Sequence, residues 1–131
     1  MQRTEHKMGK FVIKKNALGY TFNLVAPNGE VIGTSGEVLN TMTTVKKSIA
    51  SVVKNAQIAY LEDQTVDGYE QKKNPKFEIY RDKAGEFRFR LKAANGEPIL
   101  ASEGYTAKAN CKNGIASVRK NVVDAPVEVE E

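Results

Sequence analysis

The chain has 131 residues, 40% of them apolar and 27% charged, with a net charge of +4 and an isoelectric point near 9.1. That length suits one domain or two very small ones, and 20 basic against 16 acidic residues is too mild a balance for a polycationic nucleic-acid binder. A lone cysteine, Cys111, leaves no internal disulfide to form; the opening MQRTEHKMGK has no apolar h-region and no apolar run nears the roughly 20 residues that cross a bilayer, so a soluble, cytoplasmic protein without a membrane partner is expected.

Residues 1–8 are polar and patternless and are expected to be a disordered start. From there Phe11 and Ile13 alternate with Val12 and Lys14, Ala17-Leu18-Gly19 turns the chain, and Tyr20, Phe22 and Leu24 alternate with Thr21, Asn23 and Val25. Pro27-Asn28-Gly29 predicts a hairpin of type I′, in which both central residues take positive φ. Val31-Ile32 then opens a third strand. The period changes at Val45, Ile49, Val52 and Val53, which share one face of a helix; Asn40 or Thr41 is positioned to cap it. A fourth strand is expected over 57–61. These elements form unit one, 9–63, and the polar stretch 64–75 reads as a linker.

Unit two, 76–131, repeats the plan. Phe77 and Ile79 alternate with Glu78 and Tyr80, and Phe87, Phe89 and Leu91 with Arg88, Arg90 and Lys92. Asn95-Gly96 turns the chain and Pro98 opens a strand where a missing N–H is tolerated. Thr106 is the expected cap of a helix with the stripe Cys111, Ile115, Val118 and Val122. Val127 and Val129 alternate with Glu128 and Glu130 in a last strand, 126–130.

The two units match residue for residue. Lys10-Phe11 and Ile13 return 66 residues later as Lys76-Phe77 and Ile79. Asn28-Gly29-Glu30 returns 67 residues later as Asn95-Gly96-Glu97, and Ile49-Ala50-Ser51-Val52 returns as Ile115-Ala116-Ser117-Val118. Burial per residue rises with domain size, so the two units are expected to merge into one globule rather than fold as separate beads.

Residues 77–121, FEIYRDKAGEFRFRLKAANGEPILASEGYTAKANCKNGIASVRKN, closely resemble the YegP-like family of small bacterial and archaeal proteins of unknown function. Unit one carries the same skeleton, with Thr21 and Asn23 in place of Arg88 and Arg90, and Ser48 in place of Gly114. The resemblance implies β3-α-β units. It implies that two of them build one continuous sheet and exchange C-terminal strands, so that 57–61 pairs within unit two and 126–130 within unit one. The chain would then be a covalent version of a homodimer. No catalytic residue is transferred, because the family has no established activity. The expected fold is α+β: one antiparallel sheet with two helices on one face.

Chemistry-bearing residues are few. His6 is the sole histidine and lies in the polar start, which leaves no catalytic or three-ligand metal constellation and no cofactor motif. Cys111 sits on an apolar helix stripe and reads as a small hydrophobe; a reactive thiolate would need an electropositive, accessible setting. Asn28-Gly29 and Asn95-Gly96 precede no helix and read as hairpin turns rather than phosphate loops. The one face with functional promise is Tyr80, Arg88, Arg90 and Lys92, a candidate ligand-contact surface that could hold phosphates and stack a base. The competing expectation is a solvated sheet face in which Glu78 and Glu86 pair with the arginines. Glu128, Glu130 and Glu131 could shield that face if the last strand lies close to it. The function expected is a non-catalytic binding or interaction module, monomeric, its partner unknown. The alternatives are a weak binder of nucleic acid or another polyanion, and a small-molecule enzyme or sensor with a cleft where the units meet.

Overall fold

Residues 9–130 are described by the structure, a computed structural model. The start 1–8, His6 within it, and Glu131 lie outside the described residues. Alternating apolar residues build β1 (Lys10–Asn16), β2 (Gly19–Val25) and β3 (Val31–Thr34), followed by α1 (Met42–Ile58) and β4 (Tyr60–Asp63). The pattern returns in β5 (Lys76–Arg81), β6 (Phe87–Lys92), β7 (Pro98–Ala101), α2 (Lys108–Asn121) and β8 (Val127–Glu130).

All eight strands join one sheet in the order β4-β5-β6-β7-β3-β2-β1-β8. The sheet is mixed, not antiparallel as expected: β4 runs parallel to β5, and β8 runs parallel to β1. Hairpins force their strands to be antiparallel, but β4 and β8 each follow a helix, and a helical crossover imposes no such constraint. At the centre of the sheet β3 and β7 meet through Thr34 and Ala101, themselves 67 residues apart.

Three local expectations are corrected. The residue pairs Asn28-Gly29 and Asn95-Gly96 do turn the chain, but only the glycines have positive φ, +90° and +88°. Gly29 N–H donates to Ala26 O, and Ala26 N–H to Glu30 O, which makes a three-residue loop with glycine at its left-handed position rather than a type I′ turn. Second, α1 runs on to Ile58, and the next strand starts at Tyr60 rather than at residue 57. The Arg119 guanidinium accounts for this: it donates to the carbonyls of Ala56 and Ala59, both at 2.9 Å, and so satisfies the end of the helix. Third, α2 is preceded by Ala107, with no side-chain cap bond, where Thr106 was expected; Thr41 does cap α1, its hydroxyl accepting from Thr44 N–H at 3.0 Å.

The inward faces of β1, β2, β5 and β6 bury Phe11, Ile13, Phe22, Leu24, Phe77, Ile79, Phe89 and Leu91. Phe11 meets Phe22 edge to face at 5.9 Å, and Phe77 meets Phe89 likewise at 5.9 Å. Both helices cover this face: Val45, Ile49 and Val52 of α1 and Cys111, Ile115 and Val118 of α2 join the same core. Val53 lies half-buried at its margin. The opposite face of the sheet carries the polar residues of each strand, and no helix packs on it.

Candidate functional site

Because Phe77, Ile79, Phe89 and Leu91 point into the core, Lys76, Glu78 and Tyr80 of β5 and Arg88, Arg90 and Lys92 of β6 point out together. The register sets Glu78 opposite Arg90 and Tyr80 opposite Arg88. Arg90 Nε donates to Glu78 Oε1 at 2.5 Å, and its guanidinium stacks on the Tyr80 ring at 4.4 Å. Lys92 Nζ lies 3.4 Å from Glu78 Oε2. Arg88 pairs with Asp82 rather than Glu86: its Nε donates to Asp82 Oδ2 at 2.6 Å. The turn after β5 aims that carboxylate, since Asp82 Oδ1 accepts from the N–H groups of Ala84 and Glu86.

Toward the sheet edge the network goes underground. Lys76 Nζ lies 2.8 Å from Glu62 Oε1 and 3.4 Å from Glu78 Oε2, and the three side chains are only 6%, 1% and 3% exposed. The segment 64–75 closes over them: Lys72 N–H donates to Glu62 Oε1 at 2.7 Å and Gln64 Nε2 to Glu62 Oε2 at 2.6 Å. Burial alone would raise the carboxyl of Glu62, but the bonds from Gln64, Lys76 and Lys72 outweigh it and hold that group below its ordinary value. Burial likewise opposes the ionised Glu78, and Arg90, Lys92 and Lys76 overcome it. Lys76, in turn, is raised above the ordinary lysine range because Glu62 and Glu78 outweigh its desolvation. Every cation on this face therefore has a carboxylate partner already.

The acidic last strand lies elsewhere. β8 is at the far edge from β4, and there Glu128 pairs with Lys10 at 3.1 Å and Glu130 with Lys14 at 3.6 Å. Glu128 and Glu130 thus do not shield Arg88 and Arg90. The strand alternates as read, with its valines toward the helix side.

Cys111 is fully buried at the position that Val45 holds in unit one. Burial, with the charge of Asp63 adding to it, pushes its thiol up to about 11, away from a reactive thiolate. The nearby Lys108 is engaged with Asp63 at 2.9 Å. Among the described residues no three His, Cys, Asp or Glu side chains gather into a metal-binding group.

On the helix side two clefts occupy matching positions. One, of about 360 Å³, lies between α2 and the β2–β3 turn: Asn28, Glu30 and Ile32 face Asn110, Asn113, Gly114 and Ser117, with Tyr105 between them. The other, of about 300 Å³, lies between α1 and the β6–β7 turn: Asn95, Glu97 and Ile99 face Thr44, Lys47, Ser48 and Ser51, with Leu39 at the place of Tyr105. Each cleft takes its hairpin from one unit and its helix from the other. A cleft where the units meet was legible, but not its residues. The signal lay in Asn-Gly-Glu and Ile-Ala-Ser-Val, each repeated, which supply the shared Asn, Glu and Ser of the two walls.

A family model described as "Domain of unknown function (DUF1508)" matches the chain twice, over residues 13–63 and 82–128. A UPF0339 protein of Treponema denticola is 64% identical over 52 residues, which is 40% of this chain and 90% of that protein. The UPF0339 protein in the ptx operon 5′ region of Stutzerimonas stutzeri is 71% identical over 48 residues, 37% of this chain but only 43% of that protein. Among solved structures, the protein of unknown function yegP from E. coli is 30% identical with a TM-score of 0.77, covering 97% of both chains. The UPF0339 protein SO3888 from Shewanella oneidensis is 28% identical with a TM-score of 0.76, covering 94% of this chain and 92% of that one.

Proposed function

This chain belongs to the DUF1508 family, YegP-like proteins of unknown function, and from that premise we propose that it is a non-catalytic binding module built as a covalent pseudo-dimer. In this reading two β3-α-β units exchange their last strands and work as one monomeric domain in the cytoplasm. The pairing of β4 with β5 and of β8 with β1 supports the exchange. One observation carries the functional reading: each of the two clefts is walled by the hairpin of one unit and the helix of the other. Such a site is complete only when the units are joined.

The test is a thermal-shift screen of the intact chain against a small-molecule library. A ligand that binds only the native state stabilises it by about 2.7 kcal/mol at a hundred times its Kd. The expected result is at least one compound that raises Tm in a dose-dependent way and maps to a cleft. A library that leaves Tm unmoved would count against the module.

The second reading, a polyanion binder through Tyr80, Arg88, Arg90 and Lys92, draws on the Arg90–Tyr80 stack. Glu78 and Asp82 compete with any phosphate there. Three cations would give a slope of log affinity against log salt of about −2 to −3 on duplex DNA. Submicromolar binding at physiological salt, lost in Arg88→Ala/Arg90→Ala, would place this reading first.

A further inference from the structure

We propose that the cleft between α2 and the β2–β3 turn is a binding site for a small, neutral, polyhydroxylated ligand of monosaccharide size; the proposal rests on the binding-module reading and names its ligand class. The helix lining the cleft carries poor helix formers on that side. Asn110, Asn113 and Ser117 fall at i, i+3 and i+7, one face of α2, and Gly114 lies beside them. Asparagine and glycine both weaken a helix interior relative to alanine. The side-chain amides of Asn110 and Asn113 make no hydrogen bond to another described residue, so no internal contact offsets that choice. A local departure from helix preference without structural return is expected at functional sites.

Gly114 has a specific steric role. A Cβ there would lie 2.6 Å from Tyr105 Oη and 3.0 Å from Phe89 Cε2. The glycine therefore lets the phenol lie across the helix at the cleft floor, where Oη has no hydrogen-bond partner among the described residues. The companion cleft has Leu39 and Ser48 at these two positions and no phenol. The two clefts share a frame and differ in their floors.

The wall chemistry selects the ligand. Amides, a serine hydroxyl and a phenol together offer both donors and acceptors, as hydroxyl groups of a sugar require. Ser117 Oγ accepts from Asn121 at 3.0 Å, which leaves its own proton to donate. Burial raises the Tyr105 hydroxyl above its ordinary value, with the charges of Cys111, Glu103 and Glu30 adding to it, so it remains a donor at neutral pH. Glu30 is the one charged residue of the cleft, and Asn28 Nδ2 already donates to its Oε1 at 3.3 Å. No lysine or arginine lines the cleft, which disfavours phosphates and carboxylates. Ile32 and the Tyr105 ring give apolar surface for the carbon-bound face of a sugar ring. A volume of about 360 Å³ is at the small end for ligand pockets, enough for one ring and not for a chain.

The experiment is an amide chemical-shift titration of the intact protein with glucose, galactose, mannose, xylose and myo-inositol, with glucose 6-phosphate and putrescine as charged controls. The expected result is saturable shifts at Asn28–Val31, Tyr105 and Asn110–Ser117 from at least one neutral compound, and weaker ones from both controls. Tyr105→Phe keeps the ring and is expected to weaken that binding on the order of 2- to 12-fold, the worth of one hydrogen bond. Asn113→Ala is expected to raise Tm, by better helix propensity, while weakening binding; a merely structural asparagine would not divide the two readouts. The proposal is overturned if no neutral compound moves these amides at high millimolar concentration, if a charged control binds the cleft more tightly, or if both variants bind undiminished. Should the sugars fail while a library compound binds the Leu39 cleft, this ligand assignment falls and the binding module stands. Should nothing bind anywhere, both fall.

Discussion

Leu100 fills the space that a side chain on Gly33 would need: a Cβ at Gly33 would lie 2.8 Å from Leu100 Cγ and no more than 3.1 Å from either of its methyls. The two residues hold matching positions 67 apart, on β3 and β7, beside the Thr34–Ala101 pair. The small residue is in unit one and the large one in unit two. Two copies of unit two would bring two leucines into one space, and two copies of unit one would leave it void.

A double-mutant cycle tests this fit. Gly33→Ala is expected to cost about 1–3 kcal/mol by overpacking, and Leu100→Ala about 2–5 kcal/mol by leaving a cavity. The double variant should lose less than the sum by more than about 0.5 kcal/mol. Strictly additive losses in urea melts would mean that the two sites do not share one space.

Stability should hold steady across neutral pH and fall on both flanks. Glu62 and Glu78 sit below their ordinary values, so their contribution is present above the unfolded carboxylate range and lost as pH falls through the folded values. Lys76 sits above its ordinary value, so its contribution is present below the unfolded lysine range and lost as pH rises through the folded one. Lys76→Met strands two buried carboxylates, at an expected cost of about 3–5 kcal/mol. It should also move the acid limb of Tm against pH upward, Glu62 having lost its only cation. An unmoved acid limb would place the control of acid stability in other groups.

Arg119 ties α2 to the end of α1, forking onto the carbonyls of Ala56 and Ala59 while lying 4.9 Å from the Phe77 ring. Burial draws its guanidinium below the ordinary value, yet the fork and the ring keep it in place. Arg119→Met keeps the apolar stem and is expected to cost about 1.5–3 kcal/mol, the range for hydrogen bonds to a charged group. Arg119→Lys should not restore it, because an ammonium lacks the planar fork. Hydrogen exchange should speed up at the end of α1 in both variants; unchanged protection there would show that the helix end holds without Arg119.

Unit two alone, residues 76–131, is expected to pair with itself poorly or stay unfolded. β5 would lose β4, β7 would lose β3, and Lys76 and Glu78 would lose Glu62 and the segment that covers them. Bare strand edges favour association over a clean monomer. A well-dispersed amide spectrum from a monomeric fragment would contradict the pseudo-dimer reading.

Elements governed by local periodicity were legible from residues alone. Phe77 and Ile79 against Glu78 and Tyr80 fixed a strand face, and Ile115 with Val118 fixed a helix face. What escaped depends on contacts distant in sequence. The extra helical turn to Ile58 follows from Arg119, 60 or more residues away. The parallel direction of β4 and β8 follows from where the helices cross, which no local pattern encodes. Asp82 was missed as the partner of Arg88 because it acts from a turn rather than from the facing strand. The Tyr105 cleft was missed because Asn110 and Asn113 read as ordinary polar residues until the hairpin of the other unit stands opposite them.

The ion pair between Lys76 and Glu62 has a counterpart in Lys10 and Glu128, at matching positions, but the latter side chains are 41% and 55% exposed. Segment 64–75 roofs the first pair, and no described residue roofs the second. Dissolved ions can reach Lys10 and Glu128 and screen them, but not Lys76 and Glu62. The two rims of the sheet should therefore answer differently to ionic strength. Raising salt loosens β8, whose valines are already half in water, while β4 stays latched. The last strand is then the part of the molecule that can peel away and re-anneal while the rest of the sheet remains intact.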